Sequence, residues 1–187
     1  MKPELDWIKE ARKHIGLKEL NGTNRHPTID AWATSLGASW VIGKAWCGTF
    51  VAHCLKTAGF TRGTISSRHA QWNKKRNDQA GVYPYNWYGA KDYINEGGYK
   101  LTKPAYGCVA VKSRTGGGHV CFVVGKDKST GKLVCLGGNQ SNMVCFALYS
   151  ESEFDGFYWY GKTANPAQSR YNLPILTGVT ATGVTEA

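Results

Sequence analysis

Cys47, His119 and Asn139 are residues of the types that carry thiol-based acyl transfer. That chemistry needs a thiolate, a base that takes and returns its proton, and a third group that fixes the tautomer of the base. Cys47 follows the turn-prone Gly43-Lys44 and Trp46. It opens a run in which Phe50, Val51, Cys54, Leu55 and Ala58 recur on one helical face. The spacing predicts a buried helix that starts at Cys47 and stops at Gly59. In a first turn, unpaired backbone N–H groups and the helix dipole favour the anion and lower a thiol pKa from its free value of about 8.5. His119 stands at the mouth of the apolar run His119–Val124, behind Gly116-Gly117-Gly118. Asn139 lies in Leu136-Gly137-Gly138-Asn139-Gln140, past the next apolar run. If those two runs pair as a hairpin, Asn139 returns to the sheet end that holds His119.

Each residue alone has a plainer role. A Cys on a buried helix face is commonly an inert small hydrophobe, and Cys54 reads that way. A His at a strand start is commonly structural, and an Asn after Gly-Gly commonly belongs to a turn. The joint arrangement is what points to chemistry.

The elements that must position these groups are legible as periods. Residues 4–15 read as a helix between Pro3 and Gly16, and residues 27–36 as a second between Pro27 and Gly37. Residues 61–100 are polar, basic and aromatic, with short helices expected at 67–76 and 87–96. From residue 105 the period changes to two. Strands are expected at 108–112, 119–125, 132–136, 143–149 and 157–160, with turns at 116–118, 127–131 and 137–142. Helices followed by an antiparallel meander of about five strands is the α+β pattern. The segment 165–187, rich in Thr, Gly and Ala, is expected to be a loosely ordered extension of a domain spanning 1–164.

Composition bounds the class. A chain of 187 residues that is 42% hydrophobic and 12% aromatic has material for one folded domain, which excludes disorder as the main state. No run of about 18 apolar residues is present, so no membrane span is expected. The first residues, Met1 to Asp6, carry no apolar stretch of a secretory signal. The net charge of +10 draws the chain toward polyanions: nucleic acid, anionic lipid or a bacterial envelope. The six cysteines form no C-x-x-C pair and are expected as reduced thiols. His53-Cys54 lacks zinc-site partners at the usual spacings, and no calcium loop is present, so no metal is expected. The thiolate chemistry requires no cofactor.

The segment Ala45-Trp46-Cys47-Gly48-Thr49-Phe50-Val51 resembles the W-C-x-x-F-V nucleophile helix of CHAP-like cysteine peptidoglycan hydrolases, in particular the compact subfamily common among phage lysins. The resemblance continues in Lys103-Pro104-Ala105-Tyr106-Gly107, in Gly118-His119-Val120-x-Phe122-Val123-Val124-Gly125, and in Leu136-Gly137-Gly138-Asn139-Gln140-Ser141-Asn142-x-Val144. Ile15-Gly16-Leu17-Lys18-Glu19 and Pro27-x-Ile29-x-x-Trp32 resemble the N-terminal helices of that family, so the likeness covers roughly residues 5–160. It implies a papain-like fold with Cys47 as nucleophile, His119 as base and Asn139 as orienting residue. Trp46, Gln140 and Gly118 are the expected substrate contacts. The implied substrate is the peptide part of bacterial peptidoglycan, cleaved as an N-acetylmuramoyl-L-alanine amidase or an endopeptidase. The implied protein is a monomeric endolysin held in the host bacterial cytoplasm until its release to the cell wall, attracted there by an anionic envelope. A virion-associated lysin or a secreted antibacterial toxin shares the same chemistry.

The chain departs from the family pattern in three places. Residues 61–90 are longer than the usual link, Cys121 stands where Gly is common, and Gly137-Gly138 replace the acidic position that some members carry. Glu19 reads either as a group near the cleft or as a tie between the first two helices. The alternative function is a non-catalytic envelope- or polyanion-binding module. Its basic surface would be interleaved with Trp72, Tyr83, Tyr85, Trp87 and Tyr88; nucleic acid is not the expected partner.

Overall fold

Hydrophobic faces at helical spacing build the N-terminal part. Helix α1 (Asp6–Lys13) buries Trp7, Ile8 and Ala11, with Asp6 in its first turn and Arg12 and Lys13 in its last, matching the helix dipole. It is shorter than the expected 4–15, because Leu5 caps it in extended conformation and His14 ends it. Helix α2 (Pro27–Ser35) opens on Pro27 and is capped by the His26 side chain, which accepts from the Thr28 N–H. Helix α3 (Cys47–Thr57) starts at the expected residue, with Phe50, Val51, Ala52, Cys54 and Leu55 fully buried. The computed structural model describes residues 4–63, 81–96 and 98–186. The expected helix at 67–76 and Trp72 lie outside the described residues. Of the expected helix at 87–96 only one turn forms, α4 (Asp92–Asn95).

A two-residue parallel pair, β1 (Thr61–Arg62) and β2 (Val82–Tyr83), stands apart from the main sheet. The main sheet contains β3 (Tyr99–Leu101), β4 (Val109–Arg114), β5 (Gly117–Asp127), β6 (Leu133–Gln140), β7 (Met143–Tyr149), β8 (Gly156–Trp159), β9 (Ile175–Thr177) and β10 (Thr185–Glu186). Its antiparallel body runs β7-β6-β5-β4-β8-β3. Mixed helix and mainly antiparallel sheet agree with the α+β expectation, and the five expected strands are β4 to β8. Gly117 and Gly118 belong to β5 rather than to a turn, and β6 runs on to Gln140.

The expectation of a loose tail is corrected. Lys126 of β5 pairs with Leu133 of β6 on one edge and with Ile175 of β9 on the other. Strand β9 therefore occupies the edge that β4 leaves, and β10 pairs with β9. Leu176 is buried, packed over Gly125, and Phe146 donates its N–H to the Ala181 carbonyl. Pairing with an unfilled strand edge orders a segment whose composition alone looks unstructured.

The helices lie on the sheet through close backbone approach at one point. A Cβ built on Gly138 would lie 2.6 Å from Phe50 Cβ and 2.7 Å from the Trp46 ring. Only glycine lets β6 reach the start of α3 this closely. No helix among the described residues is long and apolar enough to cross a membrane.

Candidate active site

Cys47 sits at the first position of α3, 4% exposed, with no side chain capping the helix start. The segment after β2 closes one side. The Tyr93 hydroxyl donates to the Gly48 carbonyl at 2.9 Å, and a Cβ on Gly48 would collide with the Trp87 carbonyl. That segment is itself tied down by the fully buried Glu96, which accepts from the Asn86 backbone N–H and side-chain amide.

Burial drives the Cys47 thiol pKa up. The interaction with His119, and after it the backbone N–H groups of Val120 and Gly48, more than offset this and lower it from its ordinary value. Burial likewise drives His119 down, and hydrogen bonds and charge from Cys121 and Cys47 raise it to about 10. Both shifts run in the direction that favours a thiolate–imidazolium pair. Cys121 also contacts His119, and its thiol is lowered to about 6: burial opposes this, while a Cys135 hydrogen bond, His119 and the Lys112 charge favour it. One imidazolium balances one thiolate. Cys47 has the helix start and two backbone donors besides His119, so it is the better-supported anion.

The third group is Gln140. Its Oε1 lies 3.0 Å from His119 Nε2 and accepts from the Tyr149 hydroxyl at 3.4 Å, while its Nε2 donates to the carbonyls of Cys145 and Cys135. Those two carbonyls can only accept, so they fix which end of the amide faces the histidine. His119 must then donate from Nε2, which leaves Nδ1 for the thiols. Gln140 is 4% exposed, which makes it a positioning residue rather than a substrate contact.

The expected roles of Asn139 and Trp46 are corrected on the same geometry. Asn139 adopts φ 57° at the register shift between Gly137 and Gln140. Regular alternation would put Asn139 on the Gly137 face, the face of Cys121 and His119. The left-handed residue shifts the alternation by one and delivers Gln140 there instead. Trp46 is 1% exposed and donates its ring N–H to Glu19 Oε2 at 3.1 Å, so neither surface nor donor remains for a substrate. Glu19 is thereby a structural tie; its backbone N–H also bonds the Asn142 carbonyl. Gly118, half-buried beside Ala90 and Lys91, lies at the β5 entrance to His119.

Sequence reasoning missed Trp40. It is 57% exposed, meets Tyr88 edge-on at 4.7 Å, and has the Lys44 ammonium over its ring at 4.8 Å. The Tyr88 carbonyl lies against Gly48, beside Cys47. The expected aromatic surface is only partly realised, since Tyr83 and Trp87 are core residues and Tyr85 lies under Arg62.

No protein-family model, curated protein or solved structure matches this chain.

The ion pair has a kinetic consequence. Alkylation of an isolated thiol speeds up tenfold per pH unit until its pKa. Iodoacetamide modification of Cys47, located by peptide mass spectrometry, is expected to stay fast at lower pH than that of a free thiol, and His119→Ala is expected to remove that advantage. A raised histidine pKa also stabilises the folded state fully below its unfolded value of 6.5, and that contribution is lost as pH climbs through about 10.

Proposed function

We propose that this protein is a peptidoglycan hydrolase of the CHAP-like cysteine class, of the phage endolysin kind. It would cleave an amide bond of the peptidoglycan peptide as an N-acetylmuramoyl-L-alanine amidase or an endopeptidase. The observation that carries this reading is the relay from Cys47, at a helix start, through His119 to Gln140. The sequence likeness around those three residues supports the substrate class.

In this reaction the Cys47 thiolate attacks the amide carbonyl, and the oxygen gains the negative charge. Backbone N–H groups at the uncapped α3 start can donate to that oxyanion. The intermediate collapses as the protonated His119 gives its proton to the leaving amine, leaving a thioester on Cys47. Water then attacks the thioester, with neutral His119 taking its proton. The carboxylate product leaves, and the thiolate–imidazolium pair is restored. Gln140 keeps the ring in one tautomer throughout. The net charge of +10 supports attraction to an anionic envelope, so binding to whole cells should weaken as salt rises.

The deciding experiment digests purified peptidoglycan of more than one wall type with the wild type and with Cys47→Ala, under reducing conditions, and reads the products by mass spectrometry. Fragments released only by the wild type support the hydrolase, and their masses separate amidase from endopeptidase. Trp40, exposed beside the site, suits docking of a sugar or peptide portion of the substrate. Trp40→Ala is expected to lower kcat/KM about tenfold, mainly through KM, with stability changed by less than about 0.5 kcal/mol. An unchanged KM on insoluble and soluble substrates would remove that role.

A further inference from the structure

Where α1 packs on α3, three potential metal ligands come together. Glu10 lies on α1, His14 four residues on is its C-cap, and His53 comes from α3, 43 positions from Glu10. We infer that Glu10, His14 and His53 form a site for a zinc-type divalent transition-metal ion.

The geometry is close to that of a coordinated ion. Glu10 Oε1 lies 3.0 Å from His14 Nε2 and 3.3 Å from His53 Nε2, and all three donor atoms lie within 4.8 Å of one another. Ligands bound to tetrahedral zinc at about 2.0–2.1 Å are separated by about 3.4 Å. The two carboxylate–imidazole separations are already those of such a tetrahedron, and the two rings need only a small adjustment to share an ion, with a water as the natural fourth ligand. Two histidines and one carboxylate are a hard-to-borderline donor set suited to zinc, cobalt or nickel rather than calcium.

The surroundings favour ligation. Lys13 engages Oε2 of Glu10 at 2.7 Å and leaves Oε1 to the two rings; its own side chain is 67% exposed and free to turn away. The side chains of Glu10, His14 and His53 are 10%, 19% and 16% exposed, so an ion can enter yet stay largely shielded. Trp32 stacks on the His53 ring at 4.7 Å and meets the His14 ring edge-on at 4.8 Å, which fixes both imidazoles. When an ion binds, a neutral ring keeps its single proton, moved from Nε2 to Nδ1. The bound ion then bridges α1 to α3, the helix that carries Cys47.

The test uses the full chain, stripped with chelator, kept reduced with a phosphine, and titrated with Zn²⁺ and Co²⁺. Expected are one ion per chain by equilibrium dialysis and a Co²⁺ spectrum with ligand-field bands but no thiolate-to-cobalt charge-transfer band. The last point separates this site from the six cysteines, all of them free. At a Zn²⁺ concentration 100 times Kd, Tm should rise by about 5–10 °C. His53→Gln, and separately Glu10→Gln, should weaken binding by more than the roughly 10–100-fold that loss of an outer-shell partner causes. Glu10→Gln keeps an acceptor for both rings and so preserves the α1–α3 contact. Absence of binding to the folded chain would overturn the inference. So would a charge-transfer band that both variants leave intact, since it places the ion on the thiols. None of these readouts requires hydrolytic activity.

Discussion

Cys47→Ala is expected to reduce peptidoglycan fragment release by about 10⁴-fold or more, since removing the nucleophile of a covalent catalyst leaves only binding and oxyanion contacts. The fold should survive. The change removes one partner of a buried pair, and the cost stays below the roughly 3–5 kcal/mol of an unpaired buried charge because the His119 ring can give up its proton and Cys121 still contacts it. Substrate binding should persist, so a co-sedimentation assay with insoluble peptidoglycan separates lost chemistry from lost structure. Cys121→Ala is the necessary companion, because Cys121 also touches His119 and its thiol is also lowered. It lies within β5, without the helix start and the two N–H donors that Cys47 has, and its loss should spare most activity. Equal release by wild type and Cys47→Ala would remove the nucleophile assignment. No release by either, on several wall types, would leave a binding module.

Gln140→Leu should lower kcat by about 10²–10⁴-fold with a smaller effect on KM, because misdirecting the tautomer of a catalytic histidine has effects of that order. The same change leaves the Cys135 and Cys145 carbonyls without their donor, at a cost of about 1–3 kcal/mol in stability. Loss of the acceptor on Nε2 also removes a hydrogen bond that favours the imidazolium, so the alkaline limb of the pH–rate profile should move to lower pH. A merely structural role would not move that limb. The contrast is Asn139→Gly. With φ at 57°, glycine is at home there, and both activity and stability should stay close to wild type. If Asn139→Gly were inactive and Gln140→Leu active, the assignment of the orienting group would be reversed.

What the linear sequence determines here is everything set by local period and local chemistry. The apolar repeat from Cys47 specifies α3 and puts the thiol in its first turn. The period of two after residue 105 specifies the long strands, and the apolar run that follows His119 places that residue on β5. These follow from side-chain spacing, which is the same in the chain as in the fold.

Tertiary structure decides what depends on partners far along the chain. The choice between Asn139 and Gln140 turns on the irregular pairing of β6 with β7, where Asn139, Ser141 and Asn142 all take positive φ. Trp46 adjoins the thiol in sequence, yet its ring is spent on Glu19, a contact 27 residues away. The tail is ordered because β5 outruns β4 and leaves an edge to fill, which no property of residues 165–186 announces. The Glu10–His14–His53 cluster exists only because α1 packs on α3. In each case the deciding contact is non-local: the sequence supplies the groups, and the pairing of strands and packing of helices select which of them meet.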